Sequence, residues 1–231
     1  MWVSHVIRLG RLLAGFLWAG AVFGMGYWIV GYEFSTYPAS HHVDREVWPA
    51  KSAIALANDR ATLLFFIHPK CPCTRASVRE LEKLLMGRLL TTEQQPRIIV
   101  VATIPARASG DWRVTDTIES VSQLPNVALI WDVEGSEAFR FGAVVSGTIM
   151  LYAPDGKRRF VGGVTASRGQ EGGSVGSERV LAVLVDDKAP TQSSTPAFGC
   201  RLCFAETTPC ASASCGATSL KADTALVGDS K

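Results

Sequence analysis

Two cysteines separated by one proline, Cys71 and Cys73, have the residue type and spacing that most favour chemistry in this 231-residue chain. A thiolate is a nucleophile and a ligand for soft metal ions, so such a pair suits thiol–disulfide exchange or metal binding. The pair follows an apolar segment, residues 63–67, and precedes an amphipathic one, which predicts a strand-to-helix turn. A helix N-terminus favours the thiolate, and Lys70 and Arg75 add positive charge nearby.

The elements that position this turn follow from the apolar pattern of the middle of the chain. Strands are predicted at residues 63–67, 98–102, 127–131, 148–152 and 158–161, and helices at residues 78–89, 112–124, 134–141 and 177–185. The Pro154-Asp155-Gly156 turn favours a hairpin between the last two strands. Alternation of strands and helices predicts an α/β domain over residues 32–189, with a mixed sheet and flanking helices.

The N-terminal segment predicts a membrane anchor. Residues 12–32 form a run of 21 residues without a charged side chain, enough for a helix to cross ~30 Å of hydrocarbon. Arg8 and Arg11 precede the run, so the N-terminus is expected in the cytoplasm and the domain outside it. We therefore predict that residues 1–31 are a cytoplasmic stub and a single-pass transmembrane helix, with a cleaved signal peptide as the alternative.

The C-terminal segment, residues 190–231, predicts a flexible tail that contains cysteines. Ser, Thr and Ala supply 19 of its 42 residues, and no apolar period is sustained. Cys200 and Cys203 have CxxC spacing and are a candidate second redox pair, with Cys210 and Cys215 further on. The same cysteines could instead resolve the turn pair, bind zinc or form stabilising disulfides, the simpler outcome in an oxidising compartment.

The element order and the Cys-Pro-Cys turn resemble the thioredoxin-like superfamily. More narrowly, the chain resembles the RedB-like group of membrane-anchored thioredoxin-like proteins. The narrower resemblance rests on FIHPKCPCTRAS at 66–77, FGA…SG at 141–147, GGVTASRG at 162–169 and FGC at 198–200. Together with the predicted anchor, the superfamily resemblance implies a thiol–disulfide oxidoreductase in the periplasm or an equivalent space. Protein thiols or disulfides are its expected partners, with a membrane electron donor as a further candidate. No cofactor is implied beyond a redox-active disulfide.

The chain departs from the thioredoxin pattern because its cysteines are spaced Cys-x-Cys and not Cys-x-x-Cys. In the interpretation that we favour, Cys71 is the attacking thiolate, Cys73 is the resolving thiol and Pro72 holds the turn. A disulfide across one residue closes a small, strained ring, so it should be easily reduced. Alternatively, Thr74 stands in the second cysteine's place, which resembles thioredoxin-fold peroxidases whose hydroxyl hydrogen-bonds the thiolate.

A binding module is the competing class of function. Cys71, Cys73 and His68 could bind a soft ion such as Cu(I), and some copper-delivery proteins of the superfamily use a cysteine pair with a histidine. His68 could equally point into the sheet or cap the turn. Nucleic acid is not an expected partner, because 23 basic side chains against 21 acidic ones give no strong electrostatic signature.

The loop before the fourth strand is the second departure from the superfamily. Where the family has a cis-proline, this chain has Ser146-Gly147. A non-proline cis bond costs ~2.5–4 kcal/mol, so a trans bond is expected. Gly147 can adopt unusual dihedral angles, which would still let the backbone approach the cysteines.

A glycine-rich stretch lies further on, at residues 162–173. It is either a surface loop or a segment that lets Arg168 reach the cysteine site as an anion contact.

Overall fold

A six-stranded mixed sheet forms the centre of the molecule. The structure is a computed structural model that describes residues 2–34, 46–87, 89–186 and 193–202. The strands are β1 (Thr62–Ile67), β2 (Arg97–Ile104), β3 (Val127–Val133), β4 (Thr148–Tyr152), β5 (Arg158–Gly162) and β6 (Ser193–Ser194). Their order in the sheet is β3-β2-β1-β4-β5-β6.

Strand directions divide the sheet into two halves. β1 pairs parallel with β2, and β2 pairs parallel with β3. β4 runs antiparallel to both β1 and β5. This order, a parallel β-α-β half joined to an antiparallel hairpin, confirms the thioredoxin-like mixed sheet that the sequence predicts.

Helices cover both faces of the sheet. The four helices of the domain are α2 (Thr74–Met86), α3 (Asp116–Ser122), α4 (Ser136–Phe141) and α5 (Val175–Val185). Apolar side chains of α2, α3 and α5 pack in one core with Leu63, Phe65 and Ile67 of β1. The second core lies on the opposite face, where Leu64 and Phe66 pack with residues of α4. Every residue of β1 is buried, as its continuous apolar run indicates.

Two helices differ from the predicted ones by more than two residues at an end, whereas α4 and α5 each start within two residues of their predicted starts. α2 begins at Thr74, four residues before the predicted start. The buried side chains of its first turn are polar or small, so they give no apolar period from which the start could be predicted. The predicted helix over residues 112–124 is split. A short 3₁₀ turn covers Gly110–Trp112, and α3 starts only after Thr115, whose hydroxyl accepts the Ile118 N–H as a helix cap.

The N-terminal helix, α1 (Trp2–Glu33), extends over the predicted anchor. Its segment Ile7–Glu33 has a mean hydropathy of 1.6, and none of it is buried. Trp18, Phe23 and Trp28 are among the large apolar side chains that it exposes. Among the described residues it is the one helix long and apolar enough to cross a membrane.

Part of the predicted tail packs against the domain. β6 pairs parallel with β5, and Ala197, Phe198 and Leu202 are buried. Leu202 and Ala197 belong to the same apolar core as α4. Residues 203–231, with three of the four tail cysteines, lie outside the described residues, so the flexible tail predicted there stays a prediction.

Candidate active site

The Cys-Pro-Cys turn joins the centre of the sheet to the N-terminus of α2. The Cys71 N–H donates to the His68 carbonyl at 2.9 Å, and the Thr74 N–H donates to the Cys71 carbonyl at 3.2 Å. Cys73 is the residue that caps α2. Both cysteines are free thiols; Cys71 is fully buried and Cys73 is partly exposed. The turn therefore holds two neighbouring thiols where the helix presents its free N–H groups.

Hydrogen bonds to Cys71 favour its thiolate. The Cys73 thiol makes the largest contribution, followed by the hydroxyl of Thr74 and the backbone N–H groups of Cys200 and Thr74. The Cys200 N–H lies 3.4 Å from Cys71 Sγ. These donors hold the pKa of Cys71 well below its ordinary value, although burial acts in the opposite direction. Cys71 is the thiol of the pair that ionises first.

Cys73 shows the opposite shift. Its hydrogen bond to Cys71 raises the pKa of the Cys73 thiol, and burial and the negative charge of Cys71 raise it further. The guanidinium of Arg168, which is also hydrogen-bonded to Cys73, acts in the other direction. The pair therefore shares one proton, held by Cys73 for as long as Cys71 is a thiolate.

Ser146 and Gly147 face the turn from the loop before β4. The Ser146 hydroxyl accepts the His68 N–H at 2.7 Å and lies 2.6 Å from the Thr74 hydroxyl. Gly147 has a φ of 96° and donates its N–H to the Phe66 carbonyl at 2.9 Å. The Ser146–Gly147 bond is trans, as expected. The loop thus reaches the cysteine turn without a proline, and the buried Ser146 hydroxyl fixes the turn and Thr74 together.

His68 lies behind the turn, packed against Trp112. The two rings meet edge to face at 5.0 Å between centroids, and burial lowers the pKa of His68. Its Nδ1 atom is buried and has no hydrogen-bond partner among the described residues. The described ranges contain no group of three His, Cys, Asp or Glu side chains that could hold a metal ion. The copper site considered as an alternative, with Cys71, Cys73 and His68, stays a prediction.

Lys70 is engaged beside the site. Its ammonium lies 2.5 Å from the Asp111 carboxylate and 4.7 Å from the centroid of the Trp112 ring. Arg75 contacts Asp116 at 3.2 Å. Both cations are thus balanced by carboxylates, so the local hydrogen bonds contribute more to the Cys71 thiolate than these charges do. The supporting role predicted for Lys70 stays a prediction.

Arg168 and Cys200 complete the site from distant parts of the chain. The Arg168 guanidinium reaches Cys73, and its Nη1 donates to the Gly199 carbonyl at 3.0 Å. Cys200 is disulfide-bonded, and because Cys71 and Cys73 are free, neither of them is its partner. Cys203 lies outside the described residues, so the predicted pairing of Cys200 with Cys203 stays a prediction. The sequence offers Arg168 as one possible contact of the cysteine site, and the structure places its guanidinium beside Cys73. The FGC motif at 198–200 gives no comparable sign that Cys200 lies against the turn.

The sheet and its helices have a thioredoxin-like fold, and the turn after β1 carries a hydrogen-bonded Cys-Pro-Cys thiol pair. No family model and no curated protein matches the chain. Among solved structures, it is similar to the hypothetical protein SMc02350 from Sinorhizobium meliloti 1021, with a TM-score of 0.56, 17% identity, and coverage of 74% of this chain and 100% of that one. An uncharacterized conserved protein from Geobacillus kaustophilus has a TM-score of 0.51 and 16% identity, covering 76% of this chain and 92% of that one.

A weaker likeness is found to a secreted disulfide oxidoreductase from Mycobacterium tuberculosis. Its TM-score is 0.36 and its identity 15%, over 55% of this chain and 81% of that one. The two likenesses with the higher TM-scores show the fold and leave the activity open. The narrower resemblance to the RedB-like group stays a prediction.

Proposed function

We propose that this protein is a membrane-anchored thiol–disulfide oxidoreductase that acts outside the cytoplasm through Cys71 and Cys73. The observation that carries this proposal is the pair of free thiols in the turn, whose pKa values are displaced in opposite directions by their mutual hydrogen bond. A nucleophilic thiolate beside a protonated thiol is the arrangement that exchange with a disulfide requires. Perturbed pKa values of this kind are concentrated at functional sites.

The reaction would proceed in two exchanges. The Cys71 thiolate attacks one sulfur of a substrate disulfide, forms a mixed disulfide and expels the other sulfur as a thiolate. Cys73 then loses its proton and attacks Cys71 Sγ, which releases the reduced substrate and leaves a Cys71–Cys73 disulfide. A protein dithiol or a membrane electron donor would return the pair to its reduced form.

The order of the two exchanges is supported by the electrostatics of Cys73. Its pKa is raised chiefly by the hydrogen bond to Cys71 and also by the charge of the Cys71 thiolate. Both causes disappear once Cys71 is bound in a mixed disulfide, whereas the Arg168 guanidinium remains beside Cys73. Cys73 would therefore become a nucleophile only after Cys71 has reacted.

A thiol peroxidase is the second candidate function, and one observation favours it. The Thr74 hydroxyl hydrogen-bonds the Cys71 sulfur, as the alternative alignment of the turn predicts. A peroxidase of this kind would reduce a peroxide with Cys71 and would not need Cys73 for the first step. The effect of removing Cys73 therefore separates the two functions.

Cys73→Ser should trap a mixed disulfide between Cys71 and a substrate protein. Serine keeps the size of the side chain but cannot attack Cys71 Sγ, so the first exchange takes place and the second does not. The measurement is a non-reducing gel of the full chain after incubation with a disulfide-containing protein, and Cys71→Ser is the matched control. Full turnover by Cys73→Ser would contradict the proposal, and undiminished peroxide reduction by that variant would favour the peroxidase.

The full chain should stay with the membrane and expose its thiols outside the cytoplasm. The apolar surface of α1 has no cover within the described residues, and burying it in lipid is favourable. Alkaline carbonate extraction tests whether the chain stays in the membrane. Labelling of intact cells with a membrane-impermeant thiol reagent tests whether the thiols lie outside the cytoplasm. A soluble chain that has lost its first residues would show that α1 is a cleaved signal peptide.

A further inference from the structure

Residues 198–202, which we call the C-terminal strap, pair with a neighbouring segment beside the active site. The strap runs antiparallel to residues 144–146, with an isolated bridge between Val145 and Arg201. Two backbone hydrogen bonds of 2.8 Å join the segments, from the Leu202 N–H to the Val144 carbonyl and from the Ser146 N–H to the Cys200 carbonyl. The strap thus pairs with the backbone of residues 144–146, next to the cysteine turn.

The strap also covers Cys71. Cys200 donates its N–H to Cys71 Sγ at 3.4 Å, and Arg168 holds the neighbouring Gly199 carbonyl at 3.0 Å. Cys71 is 0% exposed in this arrangement. An external disulfide cannot reach Cys71 Sγ while the strap is in place, but the strap itself places the backbone N–H of a disulfide-bonded cysteine against the thiolate.

We propose that the disulfide of Cys200 is an intramolecular substrate of Cys71, so that the cysteine turn and the C-terminal segment exchange electrons within one chain. The proposal rests on the proposed function of Cys71 as an attacking thiolate. It identifies a substrate of the same site: an extended segment paired with residues 144–146 and carrying a half-cystine beside Cys71.

The exchange balances without any outside reactant. Cys71 attacks the Cys200 sulfur, the bond between Cys200 and its partner cysteine breaks, and the partner leaves as a thiolate. Cys73 then gives up its proton, which that thiolate takes, and attacks Cys71 Sγ. A Cys71–Cys73 disulfide forms and Cys200 leaves as a thiolate. Two electrons have then passed from the turn pair to Cys200 and its partner.

Cys73→Ser in the full chain isolates the first step. After free thiols are alkylated, trypsin releases Cys71 in residues 71–75 and Cys200 in residues 189–201, whereas Cys203, Cys210 and Cys215 share residues 202–221. Mass spectrometry of the linked peptides therefore identifies a Cys71–Cys200 bond without ambiguity. We expect this bond within one chain, in a fraction that does not change on about tenfold dilution, because the reaction is intramolecular.

The outcomes separate this inference from the proposed function. If Cys73→Ser traps an external protein disulfide but forms no Cys71–Cys200 bond, the inference is wrong and the oxidoreductase remains. If neither species forms, both are wrong. A Cys71–Cys200 bond found only between chains also overturns the inference. Adding Cys200→Ser to Cys73→Ser is the matched control, and it must remove the linked peptides.

A glycine substitution tests the strap without changing a cysteine. A Cβ added at Gly199 would overlap the Ser146 carbonyl oxygen, so Gly199→Ala should displace the strap. We expect alkylation of Cys71 to become at least about tenfold faster, because local opening is no longer needed for access. Gly173→Ala is the matched control, since no atom lies within 4 Å of its added Cβ. Equal alkylation rates in the two variants would contradict the covering role.

Discussion

Replacing Cys71 with serine will lower the turnover of a disulfide substrate at least about a thousandfold, because the attacking group is lost. A serine hydroxyl is not ionised near neutral pH, and the hydrogen bonds that stabilise the Cys71 thiolate cannot make it a comparable nucleophile. The measurement is the steady-state rate with a small disulfide whose thiol product absorbs light. Unfolding curves of the variant and the parent show whether the fold is retained.

Cys73→Ser provides the contrast for this experiment. With Cys200→Ser added to remove the intramolecular exchange, it should release about one equivalent of product per chain and then stop, since the mixed disulfide on Cys71 is not resolved. Cys73 is the more exposed thiol of the pair, which is the argument for the reverse assignment of the attacking and resolving roles. If Cys71→Ser turns over and Cys73→Ser releases nothing, Cys73 is the attacking residue and Cys71 is the resolving one.

The thiolate of Cys71 will persist at pH values where an ordinary cysteine, with a pKa of ~8.5, is protonated. Its pKa is lowered by hydrogen bonds from the Cys73 thiol, the Thr74 hydroxyl and two backbone N–H groups. For an acid, a lowered pKa means that the charged form is present above that value and is lost only as the pH falls through it. The ultraviolet absorbance of the thiolate, taken as the difference between the parent and Cys71→Ser, measures this transition.

Thr74→Val will raise the pKa of Cys71 and shift its titration toward that of a free cysteine. Valine keeps the shape of the buried side chain but removes the hydroxyl that donates to Cys71. Below the new midpoint the thiolate population and the exchange rate fall together. Thr74→Ser retains a hydroxyl and is the matched control. A titration unchanged by Thr74→Val would show that the hydroxyl does not stabilise the thiolate.

The central sheet could be predicted because its signals are local. A fully apolar run such as residues 63–67 indicates a strand buried on both faces, and the Pro154-Asp155-Gly156 turn indicates the β4–β5 hairpin. The start of α2 could not be placed in this way. The buried residues of its first turn are Thr74, Ala76 and Ser77, whose small or polar side chains give no helical apolar period.

Only the part of the candidate site that lies within one short stretch of sequence could be predicted. Cys71, Cys73 and Thr74 lie together in the chain, so their spacing alone places them at a strand-to-helix turn. The contact between Cys200 and Cys71 joins residues 129 positions apart. The two-residue strand β6 and the strap are too short to show an alternating pattern, so no sequence signal marks their return to the site.

The central position of β1 gives the two sides of the site unequal local stability. β1 is hydrogen-bonded along both edges, to β2 and β4, and its side chains are buried in both cores. The strand from which the cysteine turn leaves therefore belongs to the part of the fold that opens last. The strap is joined to residues 144–146 by two backbone hydrogen bonds and one isolated bridge. Opening of this short pairing would uncover Cys71 while the thiol pair stays assembled, so access to the nucleophile is coupled to a local opening and not to global unfolding of the domain.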